Sequence, residues 1–273
     1  MSSEEFQRKN PGDLAYTSEK TIVIKEIAPG PRIFLDLSDL AIGLNVARGR
    51  YETSEIEYVR AVVGRGDSVL DIGANIGFFT LHMAAMVGPT GHVYAYEPLD
   101  QNAALLEQSA RENGLEERIS LRRRAVGAEP GEAELVFLSL DAGAQNSGGA
   151  YLSTASRAVP TRHELLRTRV VVLGDETFVR PVRFIKVDVE GAEPLVFRGG
   201  RELLSEDRPV ILSEINPGQL GKVSAVTPRE LISEMETIGY ECVLLEYGEL
   251  SERIRDVPDD QVRSVVFRPV SST

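Results

Sequence analysis

The sequence predicts an α/β fold in which a parallel sheet is covered by helices on both faces. Three observations predict it. Short apolar runs alternate with helix-period segments from residue 54 onward, glycine, proline or a capping residue punctuates the alternation, and the strand-like runs are apolar enough to be buried on both sides. With 273 residues and 42% apolar content, the chain can bury a full core.

The elements follow in order. "SEIEYVRAVV" carries Ile56, Val59 and Val63 at helical spacing behind a Thr53/Ser54 cap, and "GRGD" ends it. "SVLDIG" reads as a buried strand, and "IGFFTLHMAAMVG" as a helix packed on both faces and closed by Gly88 and Pro89. After the strand "HVYAYEP", Asp100 caps "QNAALLEQSARE", which stops at Asn113-Gly114. "RISLRRRAVG" supplies a third strand, completing βαβαβ, and "EAELVFLSL" a further one. "RVVVL" and Phe184 to Val189 are strands, and Pro194 suits the first position of a helix because its missing N–H is not needed there. "RPVILSEINP" is another strand. Thr227 to Glu230 form a capping box with proline inside it, opening a helix that ends at Gly239. "YECVLLE" and "RSVVFRP" close the chain as an antiparallel pair joined by a polar, acidic loop.

Residues 1–50 lack this alternation. "TIVIKEI" and "RIFLDLSD", separated by "APGP", predict an N-terminal β-rich cap ahead of a main domain at 51–273. Residues 141–167 are rich in Gly, Ser, Ala and Asn at their start and read as one long lid-like insertion or a surface loop.

Charge narrows the function. A net charge of −12 and no long basic stripe argue against a nucleic-acid partner. Arg122, Arg123 and Arg124 read as solvent-facing charge on an edge strand. The single cysteine, Cys242, sits in an apolar run and predicts a packed, reduced thiol, which with the polar N-terminus fits a cytosolic location. No stretch approaches the length of a membrane span, and nothing decides between a monomer and a homo-oligomer.

In "DIGANIG" the first strand ends near Asp71, Gly73 admits backbone conformations closed to other residues, and Gly77 lets the next helix lie close. Glu97 falls twenty residues after Gly77, at the end of the second strand, where a carboxylate accepts hydrogen bonds from ribose hydroxyls. A nucleoside ligand is therefore expected. Asp71 selects among nucleosides: a carboxylate opposes a pyrophosphate but favours a ligand bearing an ammonium and a sulfonium, such as S-adenosylmethionine. The same residue could instead serve as a turn carboxylate bonded to local backbone. A nicotinamide-dependent oxidoreductase and a nucleoside-binding module without turnover are the alternatives, the former weakened by the incomplete G-x-G-x-x-G.

"VLDIGANIGFFTLHMA", "GHVYAYEP", "NGL", "FIKVDVEGAE" and "VILSEINP", in this order, resemble the FkbM-type family of S-adenosylmethionine-dependent methyltransferases, over about residues 45 to 215. The resemblance implies the class I methyltransferase (Rossmann-like) fold, a seven-stranded sheet of order 3-2-1-4-5-7-6. It also implies O-methylation of a hydroxyl on a sugar, glycan or polyketide-type natural product, a role in secondary metabolism or glycan modification. Asp71, Gly73, Asn75 and Gly77 would line the methionine side of the cofactor, Glu97 would hold the ribose, and Ala125 and Val126 would sit by the adenine. Glu52, in "RYE", would approach cofactor or substrate; as a helix-leading acid it could equally stabilise the helix.

Methyl transfer is an in-line displacement, so the acceptor hydroxyl must be aligned and its proton managed. Strand alternation puts Lys186 and Asp188 on one face, with Asp188 at the carboxyl end of its strand, beside the switch point where ligands bind open α/β sheets. Asp188 is the first choice for positioning the donor methyl or taking the proton; Glu190 and Lys186 complete the catalytic candidates, and Glu193 and Glu214 lie nearby. Asp188 with Glu214 would offer a divalent cation only two carboxylates, so no metal ligands are assigned. His82 reads as packed in its helix, and His163 and Asn146 fall in the lid-like segment.

Overall fold

The computed structural model describes residues 22–27, 30–138, 150–152 and 163–270. A hairpin of β1 (Ile22–Glu26) and β2 (Arg32–Asp36) leads through α1 (Gly43–Ala47) and α2 (Thr53–Val62) into β3 (Ser68–Ile72), α3 (Phe78–Val87), β4 (His92–Tyr96), α4 (Asp100–Glu112) and β5 (Ile119–Arg122). Next come β6 (Ala125–Val126), β7 (Gly131–Leu138), β8 (Tyr151–Leu152) and β9 (His163–Val171). The remainder is β10 (Val182–Val187), α5 (Glu193–Gly199), α6 (Arg201–Asp207), β11 (Val210–Ile215), α7 (Pro217–Val223), α8 (Pro228–Thr237), β12 (Tyr240–Glu246), β13 (Glu249–Ile254) and β14 (Arg263–Pro269).

The main sheet runs β13-β12-β14-β11-β10-β3-β4-β5 and has eight strands, not the seven expected. From β11 to β5 neighbouring strands are parallel, and β14 and β12 are antiparallel additions. The extra strand, β13, lies within the segment read as a polar loop and extends the outer edge through β12. It is largely exposed, so no buried alternation announces it.

Residues 119–126 are two elements, not one. β5 stops at Arg122, and Ala125–Val126 joins a separate four-stranded sheet of order β6-β9-β7-β8. This second sheet also corrects the lid reading: Tyr151–Leu152 pairs with β7, and residues 163–167 belong to β9. The rest of that segment, including Asn146, lies outside the described residues, as does the His163 side chain.

One core cluster covers each face of the sheet. Ile33 and Leu35 of β2 are fully buried with Leu81, Met83 and Leu106, and the hairpin is fastened to α4 where Ser109 Oγ accepts from Phe34 N at 2.9 Å. Leu70, Ile185, Phe197 and Tyr240 belong to the opposite cluster. His82 is buried in α3, its ring 5.1 Å from that of Phe78, and burial pushes its pKa down to about 4. Cys242 is a buried free thiol. Among the described residues no helix is long and apolar enough to cross a membrane.

The capping signals differ in how they are used. Thr227 and Glu230 form the full capping box with Pro228 in the first turn, and the helix gives way to Gly239 at φ +83°. Ser54 accepts a hydrogen bond from Gly248 N instead of capping α2, whose N-cap is Glu52. Asp100 is the first residue of α4, not its cap, and binds Arg123. Pro194 follows Glu193 into α5 and holds its second position.

Candidate active site

The carboxyl ends of β3, β4 and β10 meet at one edge of the sheet, and their following loops build two adjoining clefts. Gly73 is why the loops approach so closely. It has φ +85°, and a Cβ there would stand 1.9 Å from the Asp188 carbonyl oxygen. Gly77, φ +94°, is needed elsewhere: its Cβ would come within 2.3 Å of Leu106 Cδ1, so it allows α3 to pack on α4 and lines neither cleft.

The first cleft, about 590 Å³ with its open mouth included, is lined by the apolar Leu99, Ala125, Val126 and Leu135 and by Glu97, Asn75, Gly73 and Arg124. Glu97 is buried; its Oε2 accepts from Asn75 N and its Oε1 from Leu99 N, both at 2.8 Å. Burial lifts its pKa to about 7 against those bonds. The second cleft, about 820 Å³, is lined by Tyr51, Glu52, Phe78, Phe79, Lys186 and Glu214, with Ala41 and Ile42 from the N-terminal segment. Gly73, Asn75, Asp188 and Glu190 line both.

One ammonium organises the second cleft. Lys186 Nζ lies 2.9 Å from Asp188 Oδ2, 4.0 Å from Glu52 Oε2 and 4.6 Å from the centre of the Phe79 ring. Burial alone would depress its pKa, but the Asp188, Glu52 and Asp71 carboxylates outweigh it and hold the charge on. Asp71, expected beside the cofactor, lines neither cleft. It is buried beneath the turn, paired in register with Lys186 across β3 and β10, and accepts from the Thr80 hydroxyl.

Three of the residues around the junction, Glu52 (φ 41°), Asn75 (φ 50°) and Glu190 (φ 51°), adopt the left-handed conformation without being glycine. Such backbone costs about 1–3 kcal/mol per residue and gathers where a side chain must be aimed. Glu190 is pushed up to about 8 by burial first and then by Asp188, Glu214 and Glu193; Glu52, Glu193 and Glu214 rise to about 7, also chiefly through burial. Among the described residues no group of three or more His, Cys, Asp or Glu side chains is arranged to hold a metal.

These raised acids predict a pH dependence of stability. Each binds its proton more readily in the folded chain than at the ordinary 4.5, so between about pH 4.5 and 8 the folded state carries more protons than the unfolded one. Stability then falls as pH rises through that window. Thermal melts should give a higher midpoint near pH 5.5 than near about pH 8.5, and a midpoint that climbs with pH would contradict it.

Of the residues singled out from sequence, Glu52, Gly73, Asn75, Glu97, Ala125, Val126, Lys186, Asp188 and Glu190 come together; Asp71 and Gly77 stand behind them. Tyr51, Phe78 and Phe79 escaped notice as site residues, and Arg124, read as solvent-facing charge, lines the first cleft. Tyr51 sits inside the quoted "RYE", and the two phenylalanines read as core. Arg122, read as solvent-facing, is packed beneath Tyr94, Tyr96 and Phe178 and ion-paired to Glu176, which also lies 3.6 Å from Arg124.

The two clefts lie at the carboxyl ends of the parallel strands of a mixed α/β sheet, where open sheets of this kind bind their ligands. The methyltransferase FkbM domain matches residues 71–242, and the chain belongs to that family. Solved structures similar to it include the methyltransferase FkbM from Methylobacillus flagellatus KT, at 18% identity and TM-score 0.46 over 79% of this chain and 51% of that one. M. jannaschii TYW2 in complex with AdoMet shares 14% identity, TM-score 0.46, over 94% and 90% of the two chains. Aeropyrum pernix fibrillarin, with natively bound S-adenosyl-L-methionine, shares 15% identity, TM-score 0.42, over 78% and 73%. This chain spans about half the length of the Methylobacillus protein.

Proposed function

We propose that the chain is an S-adenosylmethionine-dependent O-methyltransferase acting on a hydroxyl of a sugar, glycan or polyketide-type natural product. The observation that carries this reading is the shared lining: Gly73, Asn75, Asp188 and Glu190 line both the cleft beside Glu97 and the acidic one next to it.

The residues fit the donor. Glu97 keeps acceptor capacity for ribose hydroxyls after its two backbone bonds, because each carboxylate oxygen carries two lone pairs. Ala125 and Val126 offer the adenine an apolar wall, and the bare edge of Gly73 with Asn75, Asp188 and Glu52 would hold the methionine portion. The acids around the junction favour a cationic ligand and oppose a pyrophosphate, which disfavours nicotinamide chemistry. When bound, S-adenosylmethionine supplies an electrophilic methyl group on a positively charged sulfur.

The chain's own groups manage the acceptor. An alcohol is a weak nucleophile at neutral pH and needs its proton removed as it attacks. Asp188, held 2.9 Å from the Lys186 ammonium, acts to position the donor methyl. Glu190, with a pKa near 8, is poised to take the hydroxyl proton. Tyr51, Phe78 and Phe79 supply apolar surface against a sugar or polyketide ring. Once ionised, Glu52, Glu190 and Glu214 would repel phosphates, against a nucleic-acid acceptor.

The reading is tested by incubating the protein with methyl-labelled S-adenosylmethionine and a panel of neutral glycosides, polyketide alcohols and RNA, then locating the label by mass spectrometry and NMR. A methyl ether on a hydroxyl is the expected product. Label confined to a base nitrogen of RNA would contradict it.

A further inference from the structure

Glu190 owes its placement to a helix that touches neither cleft. Its loop is fixed from three sides. Glu193 Oε1 accepts from Val189 N at 3.1 Å and Gly191 N at 3.3 Å, on either side of Glu190. Ser224 Oγ, just past α7, donates to the Gly191 carbonyl at 2.6 Å. Gly191, φ +94°, lies so close to α7 that a Cβ there would meet the Gln219 carbonyl oxygen at 2.3 Å. Gln219 is itself seated by its backbone N–H, which Asn216 Oδ1 accepts at 3.2 Å, and its side chain reaches back so that Nε2 donates to Glu190 Oε2 at 3.3 Å.

We propose that Gln219 is a positioning residue for proton transfer: its amide aims the Glu190 carboxylate at the junction of the two clefts and stabilises the charge that must form there. The surroundings require such a donor. Asp188 of the same loop, Glu193 at the start of α5, Glu214 of β11 and Glu52 of the second cleft are all acids, and the near cation, Lys186, is engaged by Asp188. Glu97 and Arg124 flank the adenosyl side. A neutral amide that donates to the ionised carboxylate offsets part of this repulsion.

The inference rests on Glu190 being the proton acceptor, and its test needs no acceptor substrate. Carboxyl ¹³C NMR of glutamate-labelled protein, with the Glu190 signal assigned by its loss in Glu190→Gln, follows the titration directly. Gln219→Leu should move the Glu190 midpoint up by about one pH unit, and Gln219→Lys should move it down, with S-adenosylhomocysteine affinity within about twofold of wild type in both. A loss of folding would not produce shifts of opposite sign. In the wild-type protein the Gln219 side-chain amide signals should shift with the same midpoint. Amide signals unmoved through that titration, or both variants titrating like wild type, would overturn the proposal. Failure of the underlying reading looks different: Glu190→Gln would then transfer methyl as fast as wild type, whatever Gln219 does to the carboxylate.

Discussion

Replacing Glu190 with glutamine is expected to slow methyl transfer by about 10²- to 10⁴-fold while leaving S-adenosylhomocysteine affinity almost unchanged, the range general-base removal gives elsewhere. The amide keeps the shape of the side chain and its contact with Gln219 but cannot take a proton. Wild-type turnover should climb as Glu190 ionises, with an acid limb near pH 8 that is absent in the variant. Asp188→Asn should behave differently. Its carboxylate is 2.9 Å from the Lys186 ammonium, so its loss should disturb the placement of the donor as much as the rate. Undiminished turnover in Glu190→Gln would remove the base from this residue.

Lys186→Met should be the most destabilising single change at the site, by about 3–5 kcal/mol in denaturant melts at neutral pH. The ammonium is buried and serves three acids: Asp188, Glu52 and Asp71. Without it, Asp71 keeps the hydroxyl and the backbone N–H of Thr80 but no cation among the partners described for its side chain, and burial already lifts its pKa. The deficit should shrink toward acid pH, where these carboxylates take up protons. Asp71→Asn in the same background should recover part of the loss, because the buried charge goes with it. A double variant no more stable than Lys186→Met would show that Asp71 does not depend on Lys186.

Much of the site was legible because its chemistry is local. The turn after β3 declares itself in Gly73 and Asn75, Glu97 follows at the end of the next strand, and alternation alone places Lys186 and Asp188 on one face. What escaped depends on pairing across the chain. Asp71 and Lys186 are neighbours only because β3 and β10 align in register, more than a hundred residues apart, and this sets Asp71 beneath the turn with its charge coupled to the Lys186 ammonium. The break after Arg122, which sends Ala125 and Val126 into the second sheet, follows from β9, not from the arginines themselves. β13 was invisible because an exposed edge strand has no inner face to mark. Gln219 has no signal of its own; it acquires a role where α7 passes Gly191.

Calorimetric titration of S-adenosylhomocysteine into the wild-type protein and into Glu97→Ala addresses the central claim most directly, that the cleft beside Gly73 and Glu97 holds an adenosyl donor. Saturable binding by the wild type, weakened by about tenfold or more when the ribose-facing carboxylate is removed, is the predicted result. Binding of NADH in place of S-adenosylhomocysteine, or no heat from either ligand with folded protein, would contradict it.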